Sequence, residues 1–263
     1  MIGIRNSETR NVLEPFLLHF CERLIWISVE AAEMTKHAIN AYLATCVTFI
    51  NEIATVCETV GADASEVERA LRSEPRIGEK AYMRPGAAFA GGTLARDVVF
   101  LGELGKRSHL TLPLLDSIIP SNRQHSKWSL QQVRSLLGPL AGLTVAVLGL
   151  SYKPGTSLIR RSGAIELVQA LLTDGASVRA FDPEVKELPK EFASVTLVSK
   201  AADVADNASC IVVSTEWQQF RELNADDLVK RMRRPLIIDA NRFLDSTVGG
   251  HSSIEFRTFG RLA

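Results

Sequence analysis

These 263 residues contain no CxxC pair, no basic tract and no GxGxxG turn. The four cysteines (Cys21, Cys46, Cys57, Cys210) have irregular spacing, and three of them lie in apolar runs. That pattern argues against a disulfide framework or a metal centre and for reduced, buried thiols. Charge gives no foothold to a polyanion either. Thirty Lys and Arg balance thirty Asp and Glu, so nucleic acid and acidic membrane surfaces are poor partners. No continuous run approaches the roughly 18 apolar residues of a membrane span, and the N-terminus shows no basic-then-apolar leader. The expectation is a soluble cytoplasmic protein with no membrane partner.

What is present begins with Ala31–Val60, where Ile39, Leu43, Val47, Ile50, Ala54, Cys57 and Val60 recur at helical spacing. Tyr42, Cys46, Phe49, Ile53 and Val56 widen the stripe, so most of the helix circumference is expected to be covered. Gly61 supplies the stop. A helix of about 30 residues reaches roughly 45 Å, enough to join two lobes or to pack against its copy in another subunit. Glu33, Lys36 and Asn40 share one face near its start. They are either a solvated first turn or an ammonium and an amide aimed at an oxyanion or a water.

Residues 1–27 read as a strand stub at Ile2 and Ile4, a helix from Ser7 and a strand at Leu24–Ile27, the tail of a larger sheet. A short helix over Ala64–Leu71 follows the long one. A loop rich in Gly, Ala and Pro then feeds a helix from Thr93 to Gly105, an arrangement that brings backbone N–H groups close to a polar or anionic ligand, or is a plain surface loop. Leu110–Gln132 is helical, with breaks expected at Pro113 and Pro120. From Thr144 onward, apolar strands (TVAVLGLSY, SVRAFDP, VTLV, SCIVVST, PLIIDA) alternate with helical stretches at Ser162–Asp174, Lys200–Asp206 and Leu223–Arg231. This predicts a parallel, doubly wound sheet, with ligands gathering at the strand ends marked by Lys153, Asp182, Thr215 and Asp239.

Seven segments, AAEMTKHAINAYLAT, NEIATVCETVGAD, RIGEKAYMRPGAAFAGGTLARD, GLSYKPGTSLIRRS, AFDP, STEWQQF and IIDANRFLD, together resemble the UDP-glucose/GDP-mannose dehydrogenase family, in order and over nearly the whole chain. The resemblance implies an α/β protein: the end of an N-terminal Rossmann domain (1–27), an all-helical central dimerisation domain (28–135) and a Rossmann-like nucleotide-sugar domain (136–263). It implies NAD as cofactor, a UDP- or GDP-sugar as ligand, and a homodimer through the long helix. By resemblance, Lys36 and Asn40 hold an oxyanion and water, and Asp97 assists water activation. Tyr82, Gly86, Phe89 and Gly91 wrap the sugar and uridine, and Lys153 binds the nucleotide sugar. Arg76 reaches the neighbouring subunit's ligand, and Arg160 touches NAD.

The departures from the family pattern are specific. The family loop GFGGSCFPKD is AFAGGTLARD here, so the nucleophilic cysteine position is Thr93 and the lysine position is Arg96. A hydroxyl with a pKa far above neutrality is a poor nucleophile without a general base beside it. Ser157 and Leu158 replace two acidic residues, and Gly163 replaces a proline. Asn241 takes the place of a nucleotide-contacting arginine, with Arg242 one step along. The resemblance therefore leaves three functions open. One is an inactive relative that dimerises and binds a nucleotide sugar. Another is an oxidoreductase whose cofactor domain comes from another chain. The third is a structural partner of a full-length dehydrogenase.

Overall fold

The computed structural model describes residues 1–261, and these divide into two compact units, 1–45 with 93–119, and 46–92 with the described residues from 120 onward. In the first unit, β1 (Ile2–Gly3) and β2 (Trp26–Ile27) pair in parallel. Between them runs α1 (Ser7–Leu17), started by Asn6, whose side-chain oxygen accepts the Thr9 N–H at 2.9 Å. No residue of α1 is buried. The long helix α2 (Val29–Val60) begins in this unit and continues into the second. In the first unit α4 (Thr93–Arg107) turns Asp97, Val98, Leu101 and Gly105 inward.

The second unit holds the rest of α2, α3 (Ala64–Ser73), α6 (Trp128–Leu137) and a six-stranded sheet; α5 (Pro113–His125) ends in it. The strands are β3 (Thr144–Leu148), β4 (Ser177–Phe181), β5 (Thr196–Leu197), β6 (Cys210–Val213), β7 (Leu236–Asp239) and β8 (Glu255–Arg257). They lie in the order β5-β4-β3-β6-β7-β8, every pairing parallel. The apolar strand sequences follow from burial on both faces. Alternation along β3 sends Val145 and Val147 into one core, and Ala146 and Leu148 into the other. The helices α7 (Gly163–Thr173) and α8 (Ala225–Arg231) complete the winding.

The α/β class and the parallel sheet expected from the strand-helix alternation are therefore present. Four details differ. The break in 110–132 falls at residues 126–127, not at the prolines, because Pro113 opens α5 where its missing N–H costs nothing. Pro120 is accommodated inside that helix. The stretch 200–206 is a 3₁₀ turn, Ala201–Ala205, not an α-helix. The strand β8 was not anticipated, because Glu-Phe-Arg is short and polar; it is an edge strand held by Arg234 and Arg257 on Glu255. Counting only continuous apolar runs also passed over α2, which is long and apolar enough to cross a membrane by length and composition. A core helix has the same profile, and Ala44, Ile50 and Ala54 have no exposure at all.

Gly149, which ends β3, has a φ of +88°, and a Cβ there would run into the side chain of Thr215. Both constraints favour glycine at the turn that leaves the central strand. Gly149→Ala is expected to cost about 1–3 kcal/mol, read from the midpoint of urea unfolding, whereas Gly155→Ala, with open space around it, is expected to show only the strain of its positive φ.

Candidate functional site

The residues singled out in the sequence fall into one group in each unit. In the first unit, α2 and α4 bring Lys36, Asn40 and Asp97 together. Asp97 has only 1 % of its surface exposed. Its Oδ2 accepts from Lys36 Nζ at 2.5 Å and from the Asn40 amide, while Oδ1 lies 3.2 Å from His37 Nδ1 and 3.8 Å from Arg96 Nε. Burial alone pushes the Asp97 carboxyl up, but the Asn40 amide and the Lys36 ammonium outweigh it and bring the group down to about 2. Thr93 opens α4 one turn before Asp97, a spacing that puts the two on one face. Glu33 is exposed.

His37 belongs to this cluster and was missed in the sequence. It stands four residues from Glu33 and three from Asn40, so the same spacing argument includes it. The apolar pattern of the helix hid it. Its ring stacks on Phe100 with centroids 4.3 Å apart and planes at 25°.

In the second unit, the loop carrying Tyr82, Gly86, Phe89 and Gly91 is held by its backbone. Gly86 N–H donates to Asn51 Oδ1 at 3.1 Å, and His125 Nε2–H donates to Gly86 O at 2.5 Å. Asn122 accepts from Phe89 N–H at 3.0 Å and donates to Phe89 O at 2.9 Å. Ala87 N–H donates to Asn241 Oδ1 at 2.7 Å, and Arg161 donates to Gly91 O at 3.2 Å. A side chain at Gly86 would collide with Asn241 Oδ1. Asn51, Asn122, His125 and Asn241 are thus the residues that shape the loop, and no periodicity along the chain marks them. A cavity of about 500 Å³ is lined by Asn51, Asn122 and His125 together with Glu52, Glu58 and Trp128. No Lys or Arg lines it, which disfavours a phosphate there.

The remaining predicted residues are dispersed over the second unit. Tyr82 is 55 % exposed, and Arg76 is exposed and bonded to Glu74 at 2.8 Å. Lys153 and Arg160 are exposed, and the Lys153 ammonium lies 5.5 Å from the Tyr152 ring centroid. Arg242 is turned inward onto Asp63 at 2.8 Å and onto the Phe259 carbonyl at 3.2 Å, while Arg84 donates to the Asn241 carbonyl.

The strand-end polar residues are taken up internally. Asp182 accepts from the backbone N–H groups of Leu150, Ser151, Glu184 and Val185, and from Ser151 Oγ and Trp217 Nε1. Thr215 donates to Ser151 O at 2.7 Å, and Asp239 accepts from Leu244 and Asn241. The expectation that Asp182, Thr215 and Asp239 would hold ligands is corrected on this point. A dinucleotide does not fit this sheet either, because the carboxylate at the end of its second strand, where a ribose is ordinarily bound, has no free lone pair to offer.

Sequence profiles of the UDP-glucose/GDP-mannose dehydrogenase family match twice: its central domain over residues 30–124 and its UDP binding domain over residues 146–246. The UDP-glucose 6-dehydrogenase of Rickettsia bellii (strain RML369-C) is 32% identical over 251 residues, 93% of this chain and 58% of that protein. The UDP-glucose 6-dehydrogenase TuaD of Bacillus subtilis (strain 168) is 29% identical, over 100% of this chain and 57% of its own length. This chain thus spans under two thirds of these curated relatives. Among solved structures, a UDP-glucose dehydrogenase from Pyrobaculum islandicum superposes with a TM-score of 0.83 at 24% identity, over 99% of this chain and 58% of that one, a likeness of fold.

Asp97 sets a pH dependence. Its folded value near 2 lies below the ordinary 3.8, so its stabilisation is fully present above about pH 4 and is lost as pH falls toward 2. Asp97→Asn is expected to lose roughly 2 kcal/mol at pH 7 and to flatten the acid limb of stability between pH 4 and 2, measured by urea unfolding across that range. An unchanged acid limb would show that the Lys36 and Asn40 contacts do not hold the carboxylate charged.

Proposed function

Because the chain belongs to the UDP-glucose/GDP-mannose dehydrogenase family, we propose that it is a dimeric nucleotide-sugar-binding relative that does not oxidise its ligand by itself. The observation that carries this reading is the pairing of a retained cluster with a lost nucleophile. Lys36 and Asn40 close on Asp97, while the residue that opens α4 is Thr93. A threonine has no sulfur, so the thiohemiacetal and thioester of a four-electron oxidation have no atom to form on. The assignment of Lys153, Tyr82, Phe89 and the glycines of the loop to a UDP- or GDP-sugar belongs to the same proposal, as does the division into parts 1–27, 28–135 and 136–263. NAD is a cofactor by family alone. A second reading is an oxidoreductase for the alcohol-to-aldehyde step, completed by a dinucleotide-binding domain on another polypeptide. The exposed Val12, Phe16 and Phe20, at 75, 61 and 73 %, favour it as a surface that a further domain would cover.

The dimer reading rests on α2. Its exposed large apolar residues are Met34, Ile39 and Tyr42 in the first half, and Phe49, Val56 and Val60 in the second. From Ile39 onward, and with the half-buried Ile53 and the buried Cys46 filling two positions, they follow a seven-residue repeat, the pattern of a helix that packs along a second helix. A symmetric pairing buries the same stripe twice.

Two measurements test the proposal. UDP-glucose at about 100 times its dissociation constant should stabilise the chain by about 2.7 kcal/mol, visible as a rise in melting temperature, with no reduction of added NAD⁺. The absence of a shift with both UDP- and GDP-sugars removes the binding reading, and turnover by the chain alone removes the claim of inactivity. Phe49→Glu with Val56→Glu should convert the dimer to a monomer in sedimentation equilibrium; an unchanged mass rules out α2 as the interface.

A further inference from the structure

The resemblance gives roles to Lys36, Asn40, Thr93 and Asp97 and none to His37, yet the geometry around His37 is that of an oriented base. Its Nδ1 is buried and lies 3.2 Å from Asp97 Oδ1, in contact but not in hydrogen-bond alignment, and it makes no hydrogen bond among the described residues. A lone pair on that nitrogen would lie against a buried carboxylate, which favours the tautomer with the proton on Nδ1. The neutral ring then holds its free lone pair on Nε2. Phe100 fixes the ring plane by stacking. The side chain keeps 23% of its surface exposed, and with Nδ1 buried that exposure belongs to the rest of the ring.

We propose that His37 is the proton acceptor of this cluster, taking a proton at Nε2 from a hydroxyl of a bound polyhydroxylated ligand. The identity of that ligand rests on the nucleotide-sugar reading above. The ligand O–H bond breaks, the N–H bond forms at Nε2, and the imidazolium charge is balanced by Asp97. The alkoxide left behind is stabilised by the Lys36 ammonium, and the proton returns by the same path if nothing consumes the alkoxide. The charged group in contact with the ring is Asp97 from α4, and Lys36 and Arg96 reach the same carboxylate. His37 thus supplies in the Asp97 cluster the base that a hydroxyl-bearing site otherwise lacks.

The test is ¹⁵N NMR of the imidazoles in the full chain, which reads tautomer and protonation directly. As a neutral ring, His37 is expected to be the Nδ1–H form, and Asp97→Ala should return it to the Nε2–H form. An Nε2–H ring in the unaltered chain overturns the proposal whatever the chain binds. On adding UDP-glucose, the Nε2 resonance should move, and diethyl pyrocarbonate should modify His37 at least fivefold more slowly. His37→Leu should weaken binding at least fivefold and His37→Gln by less. Binding that leaves Nε2 unmoved overturns the hydroxyl contact. A chain that binds no UDP-sugar refutes the nucleotide-sugar reading and, with it, the ligand half of this proposal, while the tautomer still decides the dyad.

Discussion

One carboxylate governs the first unit. Asp97 is removed from water on the inner face of α4, and an ion in that position is tolerated only if every lone pair finds a donor. Lys36 and Asn40 serve one oxygen, and His37 with Arg96 faces the other. Three of these four groups come from two turns of α2, which explains why Lys36, His37 and Asn40 stand three and four apart or adjacent on one helix face. The cluster ties α2 to α4 through Asp97, and it keeps an ammonium and an imidazole at a defined place. Chemistry at this face follows from a packing requirement.

The second unit is built around a parallel sheet, and there the polar atoms at the strand ends are spent on structure. Asp182 gathers the backbone of the β3 turn and of its own turn, and Gly149 allows the chain to leave β3 against Thr215. The glycine loop is treated in the opposite way. Tyr82 stays exposed and Phe89 half-buried, with Met83 and Pro85 turned inward, while carboxamides from α2, α5 and the β7 turn hold its backbone. A loop fixed through its N–H and C=O groups keeps its shape while its side chains stay available to a ligand.

The sequence was most legible where a period repeats. The long helix, the apolar strands of the sheet and the helix from Thr93 all follow from hydrophobic spacing. Lys36 and Asn40 were found because a polar pair interrupts an apolar helix at helical spacing. Legibility failed where a contact joins residues distant in the chain with no local pattern. Asn51, Asn122 and Asn241 each reach a loop by 35, 33 and 154 residues, and no local propensity marks an asparagine for that task. The polar residues at the strand ends were misread for the complementary reason. A strand-end carboxylate looks the same in sequence whether it faces a ligand or its own backbone, and only the count of donors around Asp182 separates the two cases.

The buried aspartates make the same point quantitatively. Burial raises the carboxyl of each of Asp97, Asp182 and Asp239. Asp97 ends near 2, because an amide and a nearby ammonium act against that burial. Asp182 is drawn below its ordinary value by neutral donors alone, chiefly the N–H groups of Ser151, Leu150 and Glu184. Asp239 has backbone donors too, yet rises to about 6, because its burial is deeper and Glu216 adds a like charge. The sign of each shift is therefore set by whether donors and cations outnumber what desolvation takes away. Of the three, only Asp97 has an ammonium and an imidazole at its carboxylate, which is why proton chemistry is proposed for its face and not for the ends of the sheet.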